Sequence, residues 1–179
     1  MRIVGGLAKG CPLLPPGALD IRPTSDKARQ ALFNMIDPEG AAFLDLFAGT
    51  GAVGLEAASR GAAEATLVES SRKAAELARK NTEKVLRAAM TAGVVNIVCS
   101  DVMKFVQHRS AKQYGFIFCD PPYMWNGAQA LFDSLLANGY AGDGTWLVYE
   151  CARKAPPKTR QAPEREKRYG DTLLLFYRF

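Results

Sequence analysis

Short apolar runs alternate with helical stretches along this chain, and that alternation limits its fold more than any other feature. The runs are AFLDLFAG from Ala42, ATLVES, VNIVCS, GFIFCD and TWLVYE. Between them stand TGAVGLEAASRGA, Ser71 to Met90, Asp101 to Ala111 and Gly127 to Ala137, all patterned as helices. Such spacing suits βαβ units, and right-handed crossovers turn these into an open, doubly wound α/β sheet. The inner runs are apolar throughout, as strands covered by helices on both faces must be. The end differs: EREKRY, the turn pair Gly170-Asp171 and TLLLFYRF predict a hairpin. Ahead of the first strand, RPTSDKARQALFNMI predicts a three-turn amphipathic helix, with Thr24, Ser25 and Asp26 as candidate caps. Met1 to Ile21, with RIVGG and CPLLPPG, reads as a small hairpin arm.

At 179 residues, 48% hydrophobic and 23% charged, this is one globular domain with room for a small appendage. No run is long enough to span a membrane, and Met1 to Gly10 lacks the apolar stretch of a signal peptide, so a cytoplasmic protein is expected. Cys11, Cys99, Cys119 and Cys151 form no C-x-x-C pair. Cys99 and Cys119 end apolar runs and read as buried structural thiols. His108 is the single histidine, so a three-histidine metal site is impossible and no metal is expected. The net charge of +5 resides in the tail: from Cys151 onward there are eight basic residues and three acidic ones. Such a segment is either a phosphate-binding patch or a solvated edge that resists aggregation.

Ligands of open α/β sheets bind beyond the carboxyl ends of the strands, so those ends carry the functional information. The first strand runs into Asp45-Leu46-Phe47-Ala48-Gly49-Thr50-Gly51-Ala52-Val53-Gly54. Glycines 49, 51 and 54 form a G-x-G-x-x-G that leaves a strand and opens a helix, letting a ligand approach backbone amides. A dinucleotide or S-adenosylmethionine would fit. Asp45 favours the second: a carboxylate there opposes a diphosphate but suits a cationic amino acid. A bracing role for Asp45 within the glycine loop is the alternative. The second strand ends at Glu69, placed to accept from both ribose hydroxyls. The third ends at Asp101, which could hold an adenine amine, cap the next helix, or do both. Asn81 falls on the apolar stripe of the long helix and is expected to brace a neighbouring loop.

The fourth strand ends Asp120-Pro121-Pro122-Tyr123. Pro122 lacks an N–H and Pro121 is restricted, so the segment is stiff. The Asp120 carboxylate and the Pro121 carbonyl can accept the two hydrogens of an exocyclic base amine. That draws the nitrogen lone pair out of conjugation, towards an electrophilic methyl. Tyr123 offers a flat face for stacking the base. Positioning and electrostatics would supply most of the catalysis.

These motifs resemble class I S-adenosylmethionine-dependent methyltransferases acting on exocyclic amines. The whole chain resembles the RsmD-type 16S rRNA guanine-N2 methyltransferases, through RIVGG, RPTSDKARQALFNMI, FLDLFAGTGAVGLEAASRGA, ATLVES and FCDPPY. The resemblance implies a Rossmann-like doubly wound sheet of seven strands, the last antiparallel. It implies an arm over residues 1–22 and a methyltransferase domain over 23–179. By analogy Asp45, Phe47, Gly49 and Gly51 contact the methionine part, with Ala48 and Thr50 beside them. Glu69 and Ser70 take the ribose side, Asp101 and Val102 the adenine, and Arg22, Pro23 and Thr24 close over the cofactor. Asp120, Pro121, Pro122 and Tyr123 form the catalytic quartet, with Asp120 also touching the cofactor. The implied partner is 16S rRNA, and a partly assembled small subunit could supply part of the specificity; a monomer is expected. One departure stands out: after RIVGG the arm reads LAKGCPLL, with Lys9 its only cation, so the basic tail could share the grip on RNA, with Arg160, Arg165 and Lys167 as candidates. The nearest alternative is an adenine-N6 methyltransferase on RNA or DNA, since DPPY serves both amines. A dinucleotide-dependent oxidoreductase and a non-catalytic scaffold fit less well.

Overall fold

The computed structural model describes residues 1–17, 19, 24–90 and 93–179. Seven strands form one sheet: β1 (Ala42–Leu46), β2 (Glu64–Glu69), β3 (Val94–Cys99), β4 (Phe116–Cys119), β5 (Trp146–Ala152), β6 (Arg165–Tyr169) and β7 (Thr172–Arg178). The helices are α1 (Asp26–Phe33), α2 (Ala52–Ser59), α3 (Arg72–Ala89), α4 (Val102–Val106) and α5 (Ala128–Ala137). The strand order is β3-β2-β1-β4-β5-β7-β6. β1 to β5 run parallel, and β7 is antiparallel to both β5 and β6. The doubly wound sheet and the terminal hairpin are therefore as the residue pattern predicts. Among the described residues no helix is long and apolar enough to cross a membrane.

Successive residues of β1 point to opposite faces, and each face is covered. Phe43 joins Leu32, Phe33, Val53 and Ala57 of α1 and α2, whereas Leu44 and Leu46 join Val106 of α4 and Leu131 and Leu135 of α5. The sheet order reverses between β1 and β4, so the loops leaving these neighbours diverge and open a crevice at their carboxyl ends. The glycine loop follows β1 and Asp120 follows β4.

The N-terminal residues fold back on themselves. The Ile3 amide donates to Cys11 O at 3.0 Å and the Gly10 amide to Ile3 O at 2.9 Å. Ile3, Ala8 and Leu13 are buried with Ala52, Leu55, Leu67 and Val85. Polar bonds fix the contact: the Val4 amide donates to Glu56 Oε2 at 2.7 Å, and the Ser59 hydroxyl donates to Gly5 O at 2.8 Å.

Three local expectations need correction. α1 has eight residues, Asp26–Phe33, and is shorter than three turns. Ser25 caps it, while Leu32 O accepts from both Met35 and Ile36, tightening the end before Pro38, which disfavours helix in the residue ahead of it. α4 stops at Val106 instead of reaching Ala111. Past Val106 no apolar residue holds a helix to the core, and the Asn138 side chain takes Val106 O at 2.8 Å while the Ser110 amide goes to Asn138 O. Cys119 is buried as expected, but Cys99 is exposed, because β3 is one of the sheet's two edge strands.

Gly6 sets the arm's approach. Its φ is +74°, and a Cβ there would lie 1.9 Å from Ser59 O, a backbone atom with no room to yield. Gly6→Ala should lower stability by about 2 kcal/mol or more in urea denaturation. Gly10, also at positive φ but with open space around it, should tolerate alanine better.

Candidate active site

β1 delivers the glycine loop and its acid together. Phe47, Gly49 and Gly51 all have positive φ, at 63°, 55° and 81°, so the chain turns sharply out of the sheet. Gly51 caps α2 without a side chain, leaving that helix short of a hydrogen-bond acceptor. Asp45 supplies it from the strand: its Oδ2 accepts from the Gly54 amide at 2.8 Å. Gly54 must be small, because a Cβ would approach Leu67 Cδ1 to 2.6 Å and Asp45 Cβ to 3.2 Å. Asp45 thus braces the loop, the alternative weighed for it above, whatever else it binds.

Asp45 is 2% exposed, and burial pushes its carboxyl up to about 8. The Gly54 amide works against this, while the negative charges of Asp120 and Glu69 add to it. Three carboxylates therefore converge on the glycine loop, an arrangement that repels anions and favours a cation. Glu69 is held at both oxygens: Oε2 accepts from the Gly49 amide at 2.8 Å and Oε1 from the Ser71 amide at 2.7 Å. Ser70 stands beside it with Oγ 3.4 Å from Oε1. Asp101 caps α4 through Oδ1, accepting from the Lys104 amide at 3.0 Å, and Val102 opens that helix with its side chain buried.

The strand pairing sets the two motifs side by side. Leu46 is level with Cys119, and the Asp120 amide points at Leu46 O at 3.4 Å. Beyond, the Trp125 amide donates to Pro122 O at 2.8 Å, closing a turn over Pro122–Trp125. That turn brings Trp125 edge-on to Phe47, with ring centroids 5.1 Å apart at 69°. Tyr123 is 62% exposed at the apex. A narrow cleft is lined jointly by Thr24, Asp45, Phe47, Ala48, Gly49, Thr50 and Asp120. A larger cavity of about 510 Å³ lies at the opposite end of the sheet, between the α1–β1 loop and Arg60. Size does not decide between them: only the narrow cleft joins positive-φ backbone to a buried acid.

Residues 1–178 match a family described as Conserved hypothetical protein 95. The chain is 36% identical over 152 residues to ribosomal RNA small subunit methyltransferase D of Escherichia coli (strain K12), covering 84% of this chain and 74% of that protein. The chain belongs to the RsmD family of methyltransferases. A solved structure of a hypothetical protein from Thermus thermophilus is similar to it throughout, with a TM-score of 0.81, 33% identity, and coverage of 100% and 99% of the two chains. A tRNA1(Val) (adenine(37)-N6)-methyltransferase of Shewanella halifaxensis is 34% identical over 87 residues, 49% of this chain and 34% of that protein.

In this RsmD-family chain the crevice gathers Thr24, the glycine loop, Asp45, Glu69 and Asp120. Asp101 and Val102 stand at the end of β3, two strands from β1. Arg22 and Pro23 lie outside the described residues. Trp125 was not anticipated from sequence; an aromatic two residues beyond Tyr123, before the glycine that opens α5, was the available signal. Gly127 belongs with it, since a Cβ there would meet the indole at 2.6 Å. Asn81 is fully buried, as its place on the stripe of α3 predicts, and braces two loops. Its Nδ2 donates to Thr50 O at 3.0 Å, and its Oδ1 accepts from the Leu14 amide at 2.7 Å.

Asn81→Leu strands buried peptide groups of both loops and should cost about 2–4 kcal/mol by chemical denaturation. For Asp45, the carboxyl titrates near 3.8 when unfolded and near 8 when folded, so between these values the native state holds a proton that the unfolded chain has lost. Stability from this group is complete at low pH, falls as pH rises above about 4, and is gone by about 8. Asp45→Asn should flatten that decline in melting temperature over the same range; an unchanged slope would contradict it.

Proposed function

We propose that this chain transfers a methyl group from S-adenosylmethionine to the exocyclic N2 amine of a guanine in 16S rRNA. The observation that carries the reading is the Phe47–Trp125 contact, which sets the Pro122–Trp125 turn, just past Asp120, against the glycine loop. The residues present fit the cofactor: a buried acid suits its ammonium group, and the positive-φ loop lets it approach backbone closely. Asp45, Phe47, Ala48, Gly49, Thr50 and Gly51 would hold the methionine portion, Glu69 and Ser70 the ribose, and Asp101 and Val102 the adenine. Thr24 would close the cleft, with Arg22 and Pro23 assigned to the same role. Bound there, S-adenosylmethionine supplies an electrophilic methyl carbon.

The chain's own residues do the rest. The Asp120 carboxylate and Pro121 carbonyl accept the two amine hydrogens, turning the nitrogen lone pair towards the cleft. Pro121 and Pro122 keep the acceptors stiff, so little reorganisation accompanies the reaction. Tyr123, exposed at the apex, stacks on the base once it has left its helix. The methylated nitrogen is acidic and loses its proton without a strong base. Residues 23–179 act as the methyltransferase domain and residues 1–22 as its N-terminal arm.

The guanine reading draws on the relative named for small-subunit rRNA, which is similar over most of the chain; the adenine-N6 relative overlaps half of it. Incubation with 16S rRNA from a strain lacking this methyl group, then nucleoside mass spectrometry, tests it. N2-methylguanosine is the expected product; N6-methyladenosine would overturn the reading. Asp120→Ala should lower the transfer rate about 10²–10³-fold. Tyr123→Ala should lower it about 5–150-fold through the RNA, with S-adenosylhomocysteine affinity unchanged.

A further inference from the structure

The basic tail does not act as one surface. Arg160 reaches back to Asp133 on α5, and its amide donates to Gln129 at 2.6 Å. Arg165 and Arg178 lie over the Trp146 ring at 5.3 and 5.6 Å, at the amino end of β5 and away from the crevice. These three exposed cations each have a partner within the chain. Of the cations the sequence offers for gripping RNA, Arg165 stands at the end of the sheet away from the crevice, and Arg160 is engaged by Asp133.

Three of the other five cations have a different geometry. β5 runs parallel to β4, so Arg153 and Lys154 leave the sheet at the same end as Asp120. Cys119 is level with Tyr149, so Asp120 follows on beside Glu150, which puts Arg153 one strand over and about 10 Å further along. The Arg153 amide donates to Asp171 O at 2.8 Å, tying this turn to the β6–β7 hairpin. Lys167 pairs with Leu174, and Leu174 with Glu150, so Lys167 is level with Asp120, three strands and about 14 Å away. Arg153, Lys154 and Lys167 are exposed, and none forms an ion pair among the described residues. Of the nearby acids, Glu166 is 3.9 Å from Arg168, and Asp171 sits in the hairpin turn.

We infer that Arg153, Lys154 and Lys167 form a phosphate-contacting shoulder that grips rRNA flanking the target base. The inference rests on the reading of the crevice as an rRNA methyltransferase site. Free cations at that distance, on the side of Asp120 away from the glycine loop, suit a strand whose flipped base enters past Tyr123. The arm carries little competing charge: Lys9 is exposed, and Arg2 lies 3.8 Å from Asp26.

The test compares two triple variants of the full chain, R153Q/K154Q/K167Q and R160Q/R165Q/R178Q, each removing the same charge. Binding of in vitro transcribed 16S rRNA is measured across a potassium chloride series, with S-adenosylhomocysteine titrated in parallel as the control for folding. The first variant should lower the slope of log affinity against log salt by about 2–3, since each phosphate contact contributes about 0.7–0.9. The second should change it by less than about 1. Both should keep wild-type cofactor affinity. K154Q alone, in an exposed turn, should lower the slope by about 0.7–0.9. If the wild type methylates rRNA and the first variant keeps its slope, or the second loses as much, the shoulder is refuted while the reading of the site stands. If the wild type transfers no methyl to any RNA, the reading falls and the inference with it.

Discussion

The adjacency of β1 and β4 at the reversal of strand order is the constraint on which the site depends. Parallel pairing in register, with Leu46 level with Cys119, makes Phe47 and Asp120 neighbours by backbone geometry. The two chains then turn away from each other, and a crevice opens between them. Phe47 adopts a left-handed conformation that a side chain reaches only at a cost, and its ring finds Trp125 on the opposite loop. The aromatic contact offsets that strain and joins the two motifs across the crevice.

The electrostatics follow from the same packing. Asp45, Glu69 and Asp120 meet at one end of the sheet, Asp45 fully buried and the other two half-buried. The protein moderates this with backbone amides: Gly54 on Asp45, and Gly49 and Ser71 on Glu69. Asp45 stays poorly ionised near neutral pH because burial outweighs its one amide donor. A cationic ligand would complete that compensation. Asn81 gives mechanical support, joining Thr50 of the glycine loop to Leu14 of the arm, so the loop's shape depends on a helix and an arm that lie outside the sheet.

Much of this was legible in the residues. The strands are short apolar runs, and the residues that end them, Asp45, Glu69, Asp101 and Asp120, stand where a doubly wound sheet needs them. Asn81 was legible because a polar residue on an apolar stripe has to find partners. What was missed involves contacts between segments far apart in sequence. α4 is cut short by Asn138, 32 residues from the Val106 carbonyl it captures. Cys99 is exposed because β3 has a neighbour on one side only, a fact of sheet order and not of its own sequence. Trp125 gains its role from Phe47, and some of the tail's cations are seen to have partners within the chain only once Trp146 and Asp133 are placed beside them.

The most direct test is a crystal structure of the protein with S-adenosylhomocysteine bound. The sulfur should lie between the glycine loop and Asp120, its amino acid end towards Asp45 and its ribose on Glu69. Density instead in the cavity beside Phe33, Met35 and Arg60, at the far end of the sheet, would contradict a single crevice shared by cofactor and base.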